Sequence, residues 1–135
     1  MNHWIYPGLE QKFKGLALNE SMSSRADLNG LLDCCSFAFD VTSKAMLGSS
    51  RVEKLAFARH AFVKIARDHT KLSYASISRF LGKRNHATAI NGYRQAENLL
   101  YADKRFKEKY ETAYYMYTKA NNVKHASKLL NLNLK

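Results

Sequence analysis

Residues 82–95 constrain the fold more than any other stretch, because a basic turn leads there directly into a helical pattern. Asn85 is a favourable N-cap residue, and the spacing after it predicts a helix that ends near Leu100. The inward face of this helix carries Ala89, Ile90, Tyr93, Ala96 and Leu100. The outward face carries short or amide side chains, one arginine and no acid: Ala87, Asn91, Arg94, Gln95 and Asn98. Such a face is suited to lie against another surface.

A shorter helix is predicted just upstream of this turn. Ser73 can cap it, Ile77 and Leu81 form its apolar pair, and Gly82 suits the left-handed residue that ends a helix. Helix, glycine turn and helix together outline a helix-turn-helix. In that motif the second helix enters the DNA major groove with its first residues towards the base edges, here residues 85–88.

The residues of this turn resemble the C-terminal DNA-binding domain of the bacterial chromosomal replication initiator DnaA. The family signature is roughly GGRDHTTV, and residues 82–89 read GKRNHATA. The resemblance extends upstream through residues 58–60 and 66–70 and covers roughly residues 27–100. Four positions depart from the family pattern: Ala75, Lys83, Asn85 and Ala87. The resemblance implies an all-α, compact helical domain that contains a helix-turn-helix and binds double-stranded DNA.

The resemblance also assigns roles to individual residues. Asn85, His86 and Ala87 are expected to contact bases, although a helical wheel alone would also let His86 turn inward. Asn85 stands where the family has Asp. Since an amide both donates and accepts hydrogen bonds, it suits adenine, and the preferred sequence is expected to differ from the family's. The expected backbone contacts are Lys71, Tyr74, Lys83, Arg84 and Thr88.

Arg59 is an anomaly, because it lies on the apolar arc of a helix predicted to run to His69. One interpretation is that its charge snorkels or pairs within the core. The other is that it reaches a DNA groove, and the resemblance favours a contact with bases in the minor groove. Apolar residues of the arc are Val52, Leu55, Ala56, Phe62, Val63, Ile65 and Ala66.

The formal charge of +11 is concentrated around the turn. Residues 51–95 carry ten basic and two acidic side chains, whereas residues 1–50 carry four and five. A basic patch of this kind is typical of proteins that bind a polyanion. The alternative is a basic surface without such a partner.

The 135 residues suit one domain with appendages and do not accommodate the ATPase module of an initiator. We predict an N-terminal arm over residues 1–25, the helix-turn-helix domain over 26–101 and a C-terminal helical extension over 102–135. Neither a membrane span nor a signal peptide is expected, so the protein is predicted to be cytoplasmic. Adjacent Cys34 and Cys35 lack metal-ligand spacing, and we expect no metal, cofactor or enzymatic activity.

Further helices are predicted on both sides of the turn. One from Ala26 to about Asp40 would bury Leu28, Leu31, Leu32, Cys35 and Phe39. A short helix would start at Thr42, and a capping box from Ser50 to Glu53 would open the helix that holds Arg59. Asp103 would cap a C-terminal helix broken at Asn121 and Asn122 and followed by a last short helix.

The C-terminal helix carries a stripe of Phe106, Tyr110, Ala113, Tyr114 and Tyr117. The stripe either packs on the domain or forms a homodimer or partner surface through Tyr110, Tyr114 and Tyr117. Alternative functions are a protein-interaction module that regulates a host initiator, a transcription regulator and an RNA-binding protein. Single-stranded RNA recognition favours aromatic residues near the basic groove, whereas most tyrosines here lie in the C-terminal helix.

Overall fold

The computed structural model describes residues 20–83 and 85–129, with side chains over 28–83 and 85–120. These ranges contain helices and no strand, as the all-α prediction requires. The helices are α1 (Glu20–Ala38), α2 (Ser43–Met46), α3 (Glu53–His69), α4 (Tyr74–Phe80), α5 (His86–Ala102) and α6 (Lys104–Leu129). None of the described helices is both long and apolar enough to cross a membrane.

Helix α3 lies at the centre of the fold, with α1, α2, α4, α5 and α6 packed around it. Its buried side chains include Phe62 and Ile65, and the Phe62 ring stacks on Phe80 of α4 at 5.6 Å between centroids. The predicted core of α1 is confirmed, because all five of its named side chains are buried. Val52 was wrongly assigned to the core. It is 60% exposed because it precedes the first turn of α3, where the chain enters the helix from the surface.

Side-chain caps fix the starts of four helices. Thr42, Ser73, Asn85 and Asp103 each accept a hydrogen bond from a backbone N–H in the first turn, as predicted. The capping box predicted from Ser50 is wrong. Because α3 begins at Glu53, the N-cap residue is Val52, which makes no side-chain cap, and the carboxylate of Glu53 is in the first turn.

Two further boundaries differ from the predictions. Helix α1 begins at Glu20 and so includes the last residues of the predicted arm; residues 1–19 lie outside the described part of the chain. The break predicted at Asn121 and Asn122 is also wrong, because α6 continues to Leu129. Asparagine costs less than about 1 kcal/mol in a helix, too little to end one whose first half is held by packing.

That packing involves the aromatic stripe of α6, which is directed inward. The exposed fractions of Phe106, Tyr110 and Tyr117 are 1%, 8% and 3%, and Tyr114 is half-buried. The Phe106 ring contacts Phe39 of α1 and Phe57 of α3, and Tyr114 lies against His69. Burial raises the pKa of Tyr110. The packing interpretation therefore holds, and the proposed contact stripe is corrected: Tyr110 and Tyr117 are part of the domain's own core, and the half-buried Tyr114 packs against it.

Candidate nucleic-acid interface

The turn between α4 and α5 is fixed by its backbone. Gly82 has φ of 80°, and its N–H donates to the carbonyl of Arg79 (2.9 Å). The next N–H, of Lys83, donates to the carbonyl of Ser78 (2.9 Å). The buried Ser78 hydroxyl in turn donates to the carbonyl of Asn85 (2.9 Å). The left-handed glycine predicted from the sequence is confirmed, and these hydrogen bonds hold residues 82, 83 and 85 against the end of α4.

The first turn of α5 faces solvent. Asn85, His86, Ala87 and Thr88 are all exposed, so the orientation of His86, which the helical wheel left open, is outward. The backbone nitrogen of Ala87 donates to Oδ1 of Asn85 (2.8 Å), which caps the helix. The sequence predicted base contacts for Asn85, His86 and Ala87 and a backbone contact for Thr88, and the structure places all four on one accessible helix end.

The opposite face of α5 holds the helix against α3. Ala89, Gly92 and Ala96 are buried there. A Cβ added at Gly92 would lie 3.4 Å from Nδ1 of His60, so the two helices approach closely at this point. Burial, and then the nearby charge of Arg59, lower the pKa of His60. The small residues therefore set how closely α5 packs against α3.

A polar network links α5 to the end of α3. The Tyr93 hydroxyl donates to Asp68 (2.7 Å), and the Lys64 ammonium lies 3.0 Å from the same carboxylate and 4.4 Å above the Tyr93 ring. Desolvation of the ammonium is outweighed by these hydrogen bonds, so the pKa of Lys64 is raised. The helical spacing predicted that Tyr93 lies on the inward face. Its hydrogen-bond partners were not predicted, because they lie 25 and 29 residues earlier in the chain.

Tyr74 stands beside this network at the start of α4. The Arg67 guanidinium lies 4.4 Å above its ring, and the Tyr93 ring meets it edge-on at 6.1 Å between centroids. Arg67 also donates to the carbonyl of Leu72 (3.1 Å) and is exposed, as is Lys71. Arg67 was missed as a candidate DNA contact. Its position in the last turn of α3, four residues before Lys71, could have indicated this role.

Arg59 is half-buried and bonded to a loop of its own chain. Its guanidinium donates to four backbone carbonyls at 2.6–3.1 Å, two at the end of α2 and two in the loop that joins α2 to α3. The acceptors are Ala45, Met46, Gly48 and Ser50. Burial lowers the pKa of this guanidinium. The minor-groove role predicted for Arg59 stays a prediction, and it requires these bonds to be exchanged for contacts to DNA.

The same loop meets the turn of the helix-turn-helix. The Lys83 ammonium donates to the carbonyl of Gly48 (2.8 Å), which also accepts from Arg59. Desolvation lowers the pKa of Lys83, as do the charges of Arg59 and Arg51. Arg51 is exposed and was missed by sequence reasoning, because only the fold brings it near residue 83. Arg84 lies outside the described residues.

Among the described residues of 51–95, most basic side chains form no salt bridge. In the described residues, salt bridges join Lys54 to Asp40 and Lys64 to Asp68 and Glu97. Exposed cations outside these bridges are Arg51, Arg67, Lys71, Arg79 and Arg94. A region with many exposed cations and an exposed helix end can bind a polyanion through its phosphates.

Comparisons with known proteins point to one family. A family model described as the bacterial dnaA protein helix-turn-helix matches residues 30–96. The chain is similar to the chromosomal replication initiator protein DnaA of Mesoplasma florum, with 36% identity over 73 residues, which is 52% of this chain and 16% of that protein. It is 29% identical over 83 residues to the DnaA protein of Bacteroides fragilis, covering 62% of this chain and 17% of that protein. The chain thus spans less than a fifth of these relatives' length.

Proposed function

Because residues 30–96 belong to the family of bacterial DnaA helix-turn-helix domains, we propose that this chain is a sequence-specific double-stranded DNA-binding protein in replication initiation or its regulation. The observation that carries the proposal is the exposed first turn of α5 beside a basic surface. A helix N-terminus adds partial positive charge at the same point, which favours approach to phosphate groups.

In this proposal the first turn of α5 enters the major groove. His86 and Asn85 contact base edges through their polar atoms, and Ala87 offers a methyl group that can touch the methyl of thymine. Since Ala87 lacks the hydroxyl of the family's threonine, this contact is apolar only. Asn85 donates through its amide nitrogen, while its oxygen caps the helix.

Contacts to the DNA backbone set the register of the helix. Lys71, Lys83, Arg84 and Thr88 bind phosphates, and Tyr74 presses on the backbone beside them. The Arg67 guanidinium on the Tyr74 ring supports this assignment, because the ring is held in one orientation and carries an adjacent positive charge. Arg59 contacts the minor groove once its hydrogen bonds to the four backbone carbonyls are released. Without that release, it affects DNA binding only by holding the loop in place.

The experiment is a selection from a random duplex library with the purified chain, followed by affinity measurements on the selected site. A scrambled duplex, a single strand and an RNA duplex of equal length serve as competitors. We expect a defined preferred site and a log–log salt slope of about −0.9 per phosphate contact between roughly 50 and 200 mM salt. Binding without sequence preference, or binding that does not change with salt, would overturn the proposal.

The alternative of a module that binds a protein partner receives less support. Its predicted contact residues were Tyr110, Tyr114 and Tyr117; Tyr110 and Tyr117 are buried in the domain, and Tyr114 is half-buried. The same selection experiment addresses it, because a protein-binding module would recover no preferred duplex.

A further inference from the structure

The side-chain amide of Asn85 already makes one hydrogen bond within the fold. Its Oδ1 accepts the N–H of Ala87 at 2.8 Å, which holds the plane of the amide against the end of α5. Bidentate recognition of adenine needs both amide atoms in one plane with the base, the oxygen accepting from N6 and the nitrogen donating to N7. Asn85 can make that contact only by sharing Oδ1 between the Ala87 N–H and adenine N6, with the plane of its amide already set by the cap.

A second side-chain amide on the same helix caps no helix end. Asn91 is exposed, and its side chain makes no hydrogen bond with any other described residue. With about 100° between successive residues, Ala87 and Asn91 point in directions about 40° apart, on the side opposite the buried Ala89, Gly92 and Ala96. Asn91 therefore projects from the same face as the first turn.

The distance between the two positions suits reading of successive bases. Four residues of helix rise about 6 Å, which is close to two base-pair steps of about 3.4 Å. Ala87 carries only a methyl group, so the helix can approach the floor of the groove closely enough for a residue one turn later to reach a base. Recognition helices of several DNA-binding motifs read bases from positions three or four residues apart.

The neighbouring residues favour an uncharged contact at this point. Arg94 and Asn98 continue the exposed face, and this face carries no carboxylate that would repel the groove. Arg94 lies about 10 Å beyond Ala87 along the helix, and in the proposed complex its guanidinium would reach phosphates rather than bases. Asn91 thus lies between a base-contacting turn and a phosphate-binding side chain.

We propose that Asn91 is a specificity-determining residue of α5, which reads one base, preferentially adenine, about two base pairs from the contact of Ala87. The inference rests on the proposed function and adds to it a second reading position. An amide at this position can bind adenine without sharing its oxygen with a helix cap.

The test compares three variants of the full chain in the random-duplex selection: Asn91→Ala, Asn91→Asp and the control Asn98→Ala. Asn98 is an exposed amide on the same face, about 10 Å further along the helix. We expect Asn91→Ala to lose the preference at one base pair, with affinity for the wild-type site about 5- to 150-fold weaker. Asn91→Asp should shift that preference towards cytosine, since a carboxylate only accepts.

The control should retain the wild-type site and affinity, and melting temperatures should agree because both side chains are exposed. If Asn91→Ala keeps the wild-type preference at every position, the inference is wrong while the proposed function stands. If the wild-type chain selects no site, both are wrong. A loss that is equal on selected and scrambled duplexes would also overturn the inference, because it would describe a phosphate contact.

Discussion

Arg59→Ala is predicted to destabilise the domain, because its guanidinium joins α3 to residues 45–50, which are the end of α2 and the loop after it. Of its four hydrogen bonds, those to Ala45 and Met46 are partly buried, and those to Gly48 and Ser50 are exposed. Water replaces the exposed bonds at little cost, so only the partly buried pair is counted. A hydrogen bond to a charged group contributes about 1.5–3 kcal/mol, which gives about 3–6 kcal/mol for the pair.

The side-chain entropy that arginine regains on removal, about 2 kcal/mol, reduces the expected loss of unfolding free energy to about 1–4 kcal/mol. For a domain of this size we expect the melting temperature to fall by about 4–16 °C. The assay is thermal unfolding followed by circular dichroism. Lys54→Ala is the matched control, because it removes the same charge from the exposed side of α3, where a surface salt bridge to Asp40 contributes about 0–1 kcal/mol.

If Arg59→Ala melts within about 1 °C of Lys54→Ala, the reasoning is refuted, because the bonds to the loop then contribute nothing. Should such a stable variant also bind the selected duplex more weakly than the control does, the minor-groove prediction would gain support. A destabilised variant whose DNA affinity is unchanged at low temperature would give Arg59 a structural role only.

Two further predictions concern stability. Because burial lowers the pKa of His60 in the fold, the unfolded chain binds more protons than the native one below about pH 6.5, so stability should fall as the pH decreases from 7 to 5. Melting curves of wild type and His60→Gln across this range check it, and equal slopes would contradict it. Gly82→Ala should cost about 1–2 kcal/mol in urea unfolding, because φ is 80° and the new Cβ would lie 3.3 Å from the carbonyl oxygen of Leu47. The control Gly30→Ala, with nothing within 4 Å of its Cβ, should be neutral or stabilising, and equal losses in both variants would refute the strain argument.

Local signals in the sequence predicted most of the helix-turn-helix. Ser73 and Asn85 cap helices because short polar side chains compete well for free N–H groups, and Gly82 takes the left-handed position because it has no Cβ. The apolar spacing from Leu28 to Phe39 predicted the buried face of α1, because periodicity can be read within a single helix.

Contacts between distant segments were beyond this reasoning. The carbonyls around Arg59 come from residues 9–14 positions earlier, and backbone acceptors carry no sequence signature. The partners of Tyr93 lie on α3 and could not be predicted either, because only the fold brings them close to it. The proximity of Arg51 to Lys83 also results from the fold. The aromatic stripe of α6 shows the converse limit. Its periodicity suits a partner surface and also suits packing on the chain's own helices, where Phe106 contacts Phe39 and Phe57 and where Tyr114 lies against His69.

The most direct test of the central claim is the effect of His86→Ala on two duplexes, the selected site and a scrambled sequence of equal length. His86 is exposed at the first position of α5, so the substitution should leave the melting temperature unchanged. If this turn reads bases, affinity for the selected site should fall by about 5- to 150-fold while affinity for the scrambled duplex changes by less than about twofold. An equal change on both duplexes would contradict the claim that the first turn of α5 lies in the major groove.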